Sequence, residues 1–159
     1  MSSLWIVLAV RCLLVLLFLP FSALDKILNL KQAVAQAEQA VSARSLATAL
    51  IVVGFGVELV MSLAILTGIA DRMAAFILAG YCVLTALLWK QFWKAPDFRL
   101  KGQSRGREVF WDFLKNLGLS GGFLVLALGT DASGVQRFWN HPLASSHPYA
   151  AIAPAGGAQ

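Results

Sequence analysis

Four long apolar runs, separated by shorter polar stretches, occupy most of the chain: residues 4–23, 46–68, 73–92 and 113–129. At a rise of ~1.5 Å per residue, each is about long enough as a helix to cross a bilayer core of ~30 Å. The pattern predicts an all-α integral membrane protein, a four-transmembrane-helix bundle. The intervening stretches differ in character. Between the first two runs, Ile27, Leu30, Val34, Ala37 and Val41 recur at three- and four-residue intervals and draw one apolar stripe. This spacing predicts an interfacial helix between helices one and two, its stripe dipping into the headgroup boundary; a cap on the bundle or a partner-docking surface are the alternatives. Residues 94–107 show no period and are punctuated by Pro96, Gly102 and Gly106, so they read as a flexible basic loop. The organisation expected is a membrane domain over 1–131 and a poorly structured tail over 132–159, rich in Gly, Pro, Ser and Ala.

Two runs are interrupted by charge. Arg11 lies in the first and Glu58 midway along the second. A charge near the bilayer centre costs several kcal/mol, roughly 3 by insertion scales, so such residues face the bundle interior, pair, and mark function by default. Counted from the ends of antiparallel helices, the two lie at similar depth, which predicts an Arg11–Glu58 ion pair. Such a pair either locks two helices in register or forms a proton-coupled or anion-binding centre.

Composition sharpens this picture. The chain is 58% hydrophobic and 13% charged with a mean hydropathy of +0.72, outside the range of ordinary soluble domains. The net charge of +5 does not signal nucleic acid, because the basic residues cluster in connections beside apolar runs. Lys26, Lys31 and Arg44 follow helix one; Lys90, Lys94, Arg99, Lys101, Arg105 and Arg107 follow helix three; Lys115 opens helix four. Only Arg72 and Arg137 lie on the other side. The positive-inside rule then puts both basic connections in the cytoplasm and both termini outside, with Trp89, Trp93 and Trp111 forming an inner aromatic belt. The first run resembles a signal peptide at Phe21-Ser22-Ala23, but residues 1–4 carry no basic group and Arg11 interrupts the apolar stretch, so it is expected to stay as a helix.

That topology gathers a second polar group on the inner face. Asp25 and Lys26 end helix one, Lys90 and Gln91 end helix three, and Lys115 and Asn116 open helix four, with Trp93, Trp111 and Phe113 as flat apolar neighbours. The group is either a snorkelling and aromatic border or a pocket for a quinone or other amphiphile. Other candidates are weaker. Cys12 and Cys82 sit in separate spans without a Cys-x-x-Cys and read as small apolar fillers. Tyr81 and Thr85 either face the interior or satisfy their hydroxyls on the helix backbone. His141 and His147 have no companion ligands in sequence, and no phosphate loop or nucleophile triad is present, so no metal, haem or nucleotide is expected.

The order of these residues resembles the DoxX family, small four-helix bacterial membrane proteins. The resemblance rests on Arg11 followed by Phe21-Ser22-Ala23-Leu24-Asp25-Lys26, then Gly56-Val57-Glu58, then Leu66-Thr67-Gly68 leading to Arg72-Met73-Ala74-Ala75. Phe92-Trp93 and Phe113-Leu114-Lys115-Asn116 with Gly121-Gly122 complete it. It implies a multi-pass protein of the bacterial inner membrane, linked to redox systems, with Arg11, Lys26, Glu58, Arg72, Lys115 and Asn116 at family positions. The leading expectation is therefore a membrane subunit of a redox system that binds quinone or anchors a soluble oxidoreductase. Arg11 and Glu58 would form its catalytic centre, and Lys26, Trp93, Lys115 and Asn116 its cofactor-binding wall. The alternatives are a non-catalytic anchor or assembly factor, or a small-solute permease subunit acting as a homo-oligomer.

Overall fold

Apolar runs of this length satisfy their backbone groups internally only as helices, and the computed structural model, which describes residues 2–38, 41 and 43–150, is helical without strands among those residues. Helix α1 spans Ser2–Val15. It is interrupted over Leu17–Ser22, where Pro20 has no N–H to return to the Leu16 carbonyl and Leu19 leaves helical geometry at φ −123°, ψ 112°. The path resumes as α2, Ala23–Leu28, and turns into α3, Leu30–Glu38. Then follow α4 (Arg44–Thr67), α5 (Asp71–Trp89), α6 (Arg105–Leu128) and α7 (Ala132–Asn140). Among the described residues, four helical stretches are long and apolar enough to cross a membrane: Ser3–Leu28, Arg44–Thr67, Asp71–Lys94 and Arg105–Leu128.

The chain runs up and down, so α1 begins at the end of the bundle where α4 turns into α5 and α6 into α7. This is the terminal end. The opposite, basic end carries the α2–α3–α4 and α5–α6 connections. Helix α5 is central. Ala74, Ala75, Ala79, Cys82 and Ala86 are all buried along it, and these small side chains let α4 and α6 approach closely. Leu78, Ile65, Val15, Phe18 and Phe123 fill the remaining core. The outward faces are apolar: Leu13 is 69% exposed and Val53 63%. Contiguous apolar surface on every span has no place in water; it fits a lipid bilayer.

Four expectations change in detail. The interfacial stripe is only half used against protein: Val34 and Ala37 are buried against Ala47 beside Ile51 and Trp89, while Ile27 and Leu30 stay exposed. Helix α3 thus folds back over the basic end of α4. The fourth helix begins at Arg105, eight residues before its apolar run. Its first turn is capped by the Ser104 hydroxyl, which accepts from the Arg107 N–H, and by Asp97, which accepts from the Arg105 and Gly106 N–H groups. Lys115 and Asn116 are therefore well inside the helix, not at its opening. The basic connection is a folded loop: Arg99 and Arg107 donate to the Gln103 and Gly102 carbonyls, and Phe92 stacks edge to face on Trp93, Phe110 and Phe113 and at a tilt on Phe98. Residues 132–150, expected as a loose tail, form α7 and a strap. Asp131 caps the helix, Phe138 packs on Phe76 at 5.1 Å, and the Tyr149 hydroxyl donates to the Leu66 carbonyl. Gly68 ends α4 at φ +80°, and a Cβ there would meet the Pro148 ring at 2.9 Å. The rest of the expected tail, 151–159, lies outside the described residues.

Candidate functional site

The buried charges make two centres, not one. At the terminal end, the Arg11 guanidinium donates to Asp71 Oδ2 at 2.6 Å, to the Ile65 carbonyl at 2.5 Å and to Ser146 Oγ at 2.8 Å. Asp71 also accepts from the Ser146 N–H at 2.8 Å and from the Ser146 hydroxyl. The Arg11 and Asp71 side chains are 4% and 0% exposed. Toward the basic end, Glu58 accepts from the Lys26 ammonium at 2.8 and 2.7 Å, from the Ser22 hydroxyl at 2.9 Å and from the Tyr81 hydroxyl at 2.7 Å.

The expected Arg11–Glu58 pair is therefore replaced by Arg11–Asp71 and Lys26–Glu58. Side-chain direction explains it. Every Cα–Cβ bond in a helix tilts toward that helix's N-terminus. In antiparallel α1 and α4, Arg11 leans toward the terminal end and Glu58 toward the basic end. Two residues at equal Cα height thus diverge, each toward a partner at its own end. Lys26, four residues after Ser22 on the resumed helix, also donates to the Ser22 hydroxyl at 2.7 Å.

Around Glu58 the helices part to leave a cavity of about 870 Å³, within the range of pockets for small organic ligands. Its inner wall is the broken segment at Leu17, Phe18 and Ser22; its sides are α4, α5 and α6; and α3 covers it through Gln32, Gln36 and Ala37. Apolar residues such as Leu50, Val57, Leu84 and Leu119 form most of the surface, with the polar groups gathered at the Glu58 end and the rim. At the rim, Asp112 accepts from Lys90 at 3.1 Å and from Lys115 at 3.4 Å, and Asp25 accepts from Asn29 at 2.8 Å. Three lysines (26, 90, 115) face three carboxylates (25, 58, 112), so the lining carries no formal net charge.

Of the residues expected from sequence, Glu58, Lys26, Lys115 and Asn116 line this one cavity. Arg11 belongs to the other centre. Trp93 stacks on Phe92 and Phe113 at 5.1 and 5.8 Å away from the cavity lining, where Trp89 takes a place instead. Four participants are not among the residues expected from sequence: Asp71, Ser146, Ser22 and Tyr81, the last read there only as one of two alternatives. Asp71 had a readable signal, being the acid at the terminal end of the third span, where Arg11 points. Tyr81 is placed by Gly54, one turn before Glu58 on α4: a Cβ at Gly54 would sit 3.1 Å from the Tyr81 hydroxyl oxygen. Phe18 holds the other side of that ring edge-on at 6.1 Å.

A family model described as DoxX matches residues 6–91, just over half of the chain, covering the first three spans. The match includes Arg11, Ser22, Lys26, Glu58, Asp71 and Tyr81, and leaves out α6 and the strap with Ser146. No curated protein and no solved structure matches.

Proposed function

The chain belongs to the DoxX family of membrane proteins, and on that premise we propose that it is the membrane subunit of a redox system whose cavity binds a quinone. The observation that carries this reading is the cavity itself. It has a long apolar body ending in a compact polar group, the Lys26–Glu58–Tyr81–Ser22 cluster, and no formal net charge to satisfy. A neutral, flat, long-tailed molecule matches such a lining better than an ion does, which separates this reading from an anion permease. The residues fit the group: Phe18, Tyr81 and Leu119 would hold a flat ring, with the polar cluster beside it. A bound quinone supplies the electron- and proton-accepting chemistry. The chain itself supplies burial, orientation and a carboxylate that can hold a proton beside the site.

Glu58 is then the group nearest the chemistry and Arg11 a structural one. The test is retention and binding. Purification of the tagged protein in mild detergent, with mass spectrometry of retained lipids, should recover quinone in stoichiometric amount, and Glu58→Gln should lose it while remaining folded in the membrane. Wild-type protein that neither retains quinone nor binds added decylubiquinone would overturn the reading.

One observation favours docking as an additional role. The folded loop after α5 presents Lys94, Lys101 and Arg105 around exposed Leu100 and Trp93. An acidic oxidoreductase fits that surface. Neutralising those three residues leaves the loop's own Arg99 and Arg107 bonds intact, and should release a co-purifying partner without loss of fold.

A further inference from the structure

The hydrogen-bonding capacity left open at the Glu58 centre has a sign. A carboxylate offers about four lone-pair sites. Glu58 has all of them engaged, by Tyr81, by Ser22 and by Lys26 on both oxygens. The Lys26 ammonium has three protons, and they go to the two Glu58 oxygens and to Ser22 Oγ. The Ser22 proton is given to Glu58 Oε2, and the Tyr81 proton to Glu58 Oε1. Nearby on α5, Thr85 donates to the Cys82 carbonyl at 3.0 Å; on α6, Asn116 donates an amide proton to the Asp112 carbonyl at 2.9 Å. The Trp89 N–H has no partner among the described residues, but it is buried below the surface and not presented to the cavity. Immediately around Glu58 the ammonium and hydroxyl donors are spent and lone pairs of hydroxyl oxygens remain. Unspent donors, on Lys90, Lys115 and the second amide proton of Asn116, belong to the α5 and α6 walls and not to the Glu58 cluster.

We propose that the cavity selects a ligand carrying a hydroxyl donor, an aromatic alcohol of the quinol class, over its carbonyl-only counterpart, through donation of the ligand O–H to the Tyr81 hydroxyl oxygen. The proposal builds on the quinone reading for the kind of ring, and adds which form is held. A quinone carbonyl brought to this point meets oxygen lone pairs and no free proton. A quinol hydroxyl meets an acceptor whose own proton already points at Glu58. The resulting chain, ligand O–H to Tyr81 to Glu58, is oriented for a proton to leave the ligand toward the carboxylate. An ammonium donor is disfavoured because Lys26 already holds a positive charge there.

The experiment uses full-length protein in detergent, without oxygen, and measures dissociation constants by isothermal titration for two ligand pairs. The first is decylubiquinol against decylubiquinone. The second is para-octylphenol against para-octylanisole, which have nearly the same shape but differ in the donor. One net hydrogen bond predicts about tenfold tighter binding of each hydroxyl form. Tyr81→Phe keeps the ring against Phe18 and removes the acceptor, leaving Glu58 Oε1, 2.7 Å from the lost hydroxyl oxygen, still bonded by Lys26. In that variant the preference should fall to about one, with little change for the acceptor-only ligands. Equal or tighter binding of decylubiquinone and octylanisole by wild type would overturn the proposal, as would a preference that survives in Tyr81→Phe. Failure of both ubiquinone forms with a preserved phenol preference would overturn the quinone reading alone.

Discussion

A double-mutant cycle on Arg11 separates the two pairings most sharply. The Arg11 and Asp71 side chains are 4% and 0% exposed and 2.6 Å apart. With an effective dielectric of ~20, the gross attraction at that distance is about 6 kcal/mol, much of it offset by desolvation of both charges. Removing one partner leaves the other buried. Asp71→Asn should therefore cost about 3–5 kcal/mol, and Arg11→Met a similar amount. The double mutant leaves no buried charge and should cost well below the sum, giving a coupling of about 2–3 kcal/mol. Arg11 and Glu58 share no hydrogen-bond partner. The cycle of Arg11→Met with Glu58→Gln should be additive within ~0.5 kcal/mol. Unfolding equilibria in mixed detergent micelles, followed by tryptophan fluorescence, give all the free energies needed. A coupling for Arg11 with Glu58 larger than for Arg11 with Asp71 would refute the argument from side-chain direction.

Other outcomes follow from the same geometry. Glu58→Gln should destabilise the protein by about 3 kcal/mol because Lys26, only 15% exposed, is left without its counter-charge, and Lys26→Met should relieve part of that loss in the same unfolding assay. Ser146→Ala should cost about 1–2 kcal/mol through loss of the hydroxyl's bonds to Asp71 and from Arg11, the backbone N–H bond to Asp71 remaining, while ligand dissociation constants at the distant cavity stay unchanged. The Ser133 hydroxyl beside Asp131 holds that carboxyl below the usual carboxylate range, helped by the Gly134 N–H. A lowered pKa means the α7 cap contributes fully above the ordinary carboxylate value and is lost as pH falls through the depressed one. Amide exchange at Val135 and Gln136 should accelerate only in that acid range, and Asp131→Ala should make it fast at every pH.

Much of this was legible in sequence because the spans obey one strong rule: long apolar runs in helical proteins are helices, and charges within them turn inward. The charge topology gathered Lys26, Lys115 and Asn116 on one face, while Glu58, assigned to Arg11, was left out of that group. The pairings were not legible from depth alone, because height along a helix axis ignores the tilt of Cβ; allowing for it directs Arg11 to the terminal end and Glu58 to Lys26. The start of α6 was hidden because caps at Ser104 and Asp97 extend the helix through polar residues with no apolar period. Helix α7 had a readable stripe, Val135, Phe138 and Trp139, behind an Asp131 cap, but its length is below what periodicity alone can establish. Ser146 carried no local signal at all. Its role comes from a contact with Asp71 across 75 residues of sequence, which only the folded chain brings together.

The two centres also explain how the chain tolerates a broken helix at membrane depth. Backbone that leaves helical geometry within a bilayer persists only where protein buries it or a cavity accepts it. The break at Leu17–Ser22 meets both conditions: Phe18 is buried between Tyr81 and Phe123, and Leu17 and Ser22 line the cavity. Arg11 lies before the break and Lys26 after it, and each is tied to an acid on a different helix, Asp71 on α5 and Glu58 on α4. The segment between is thus pinned at both ends by separate ion pairs. The pair at the terminal end is closed over by the strap through Ser146. The pair at the basic end forms the floor of the cavity. The same kind of interaction therefore does different work at the two ends: at the terminal end it fixes helix one to the bundle, and at the basic end it positions a carboxylate beside space for a ligand. Loss of Arg11 should consequently appear in stability, and loss of Tyr81's hydroxyl in ligand preference, with neither measurement standing in for the other.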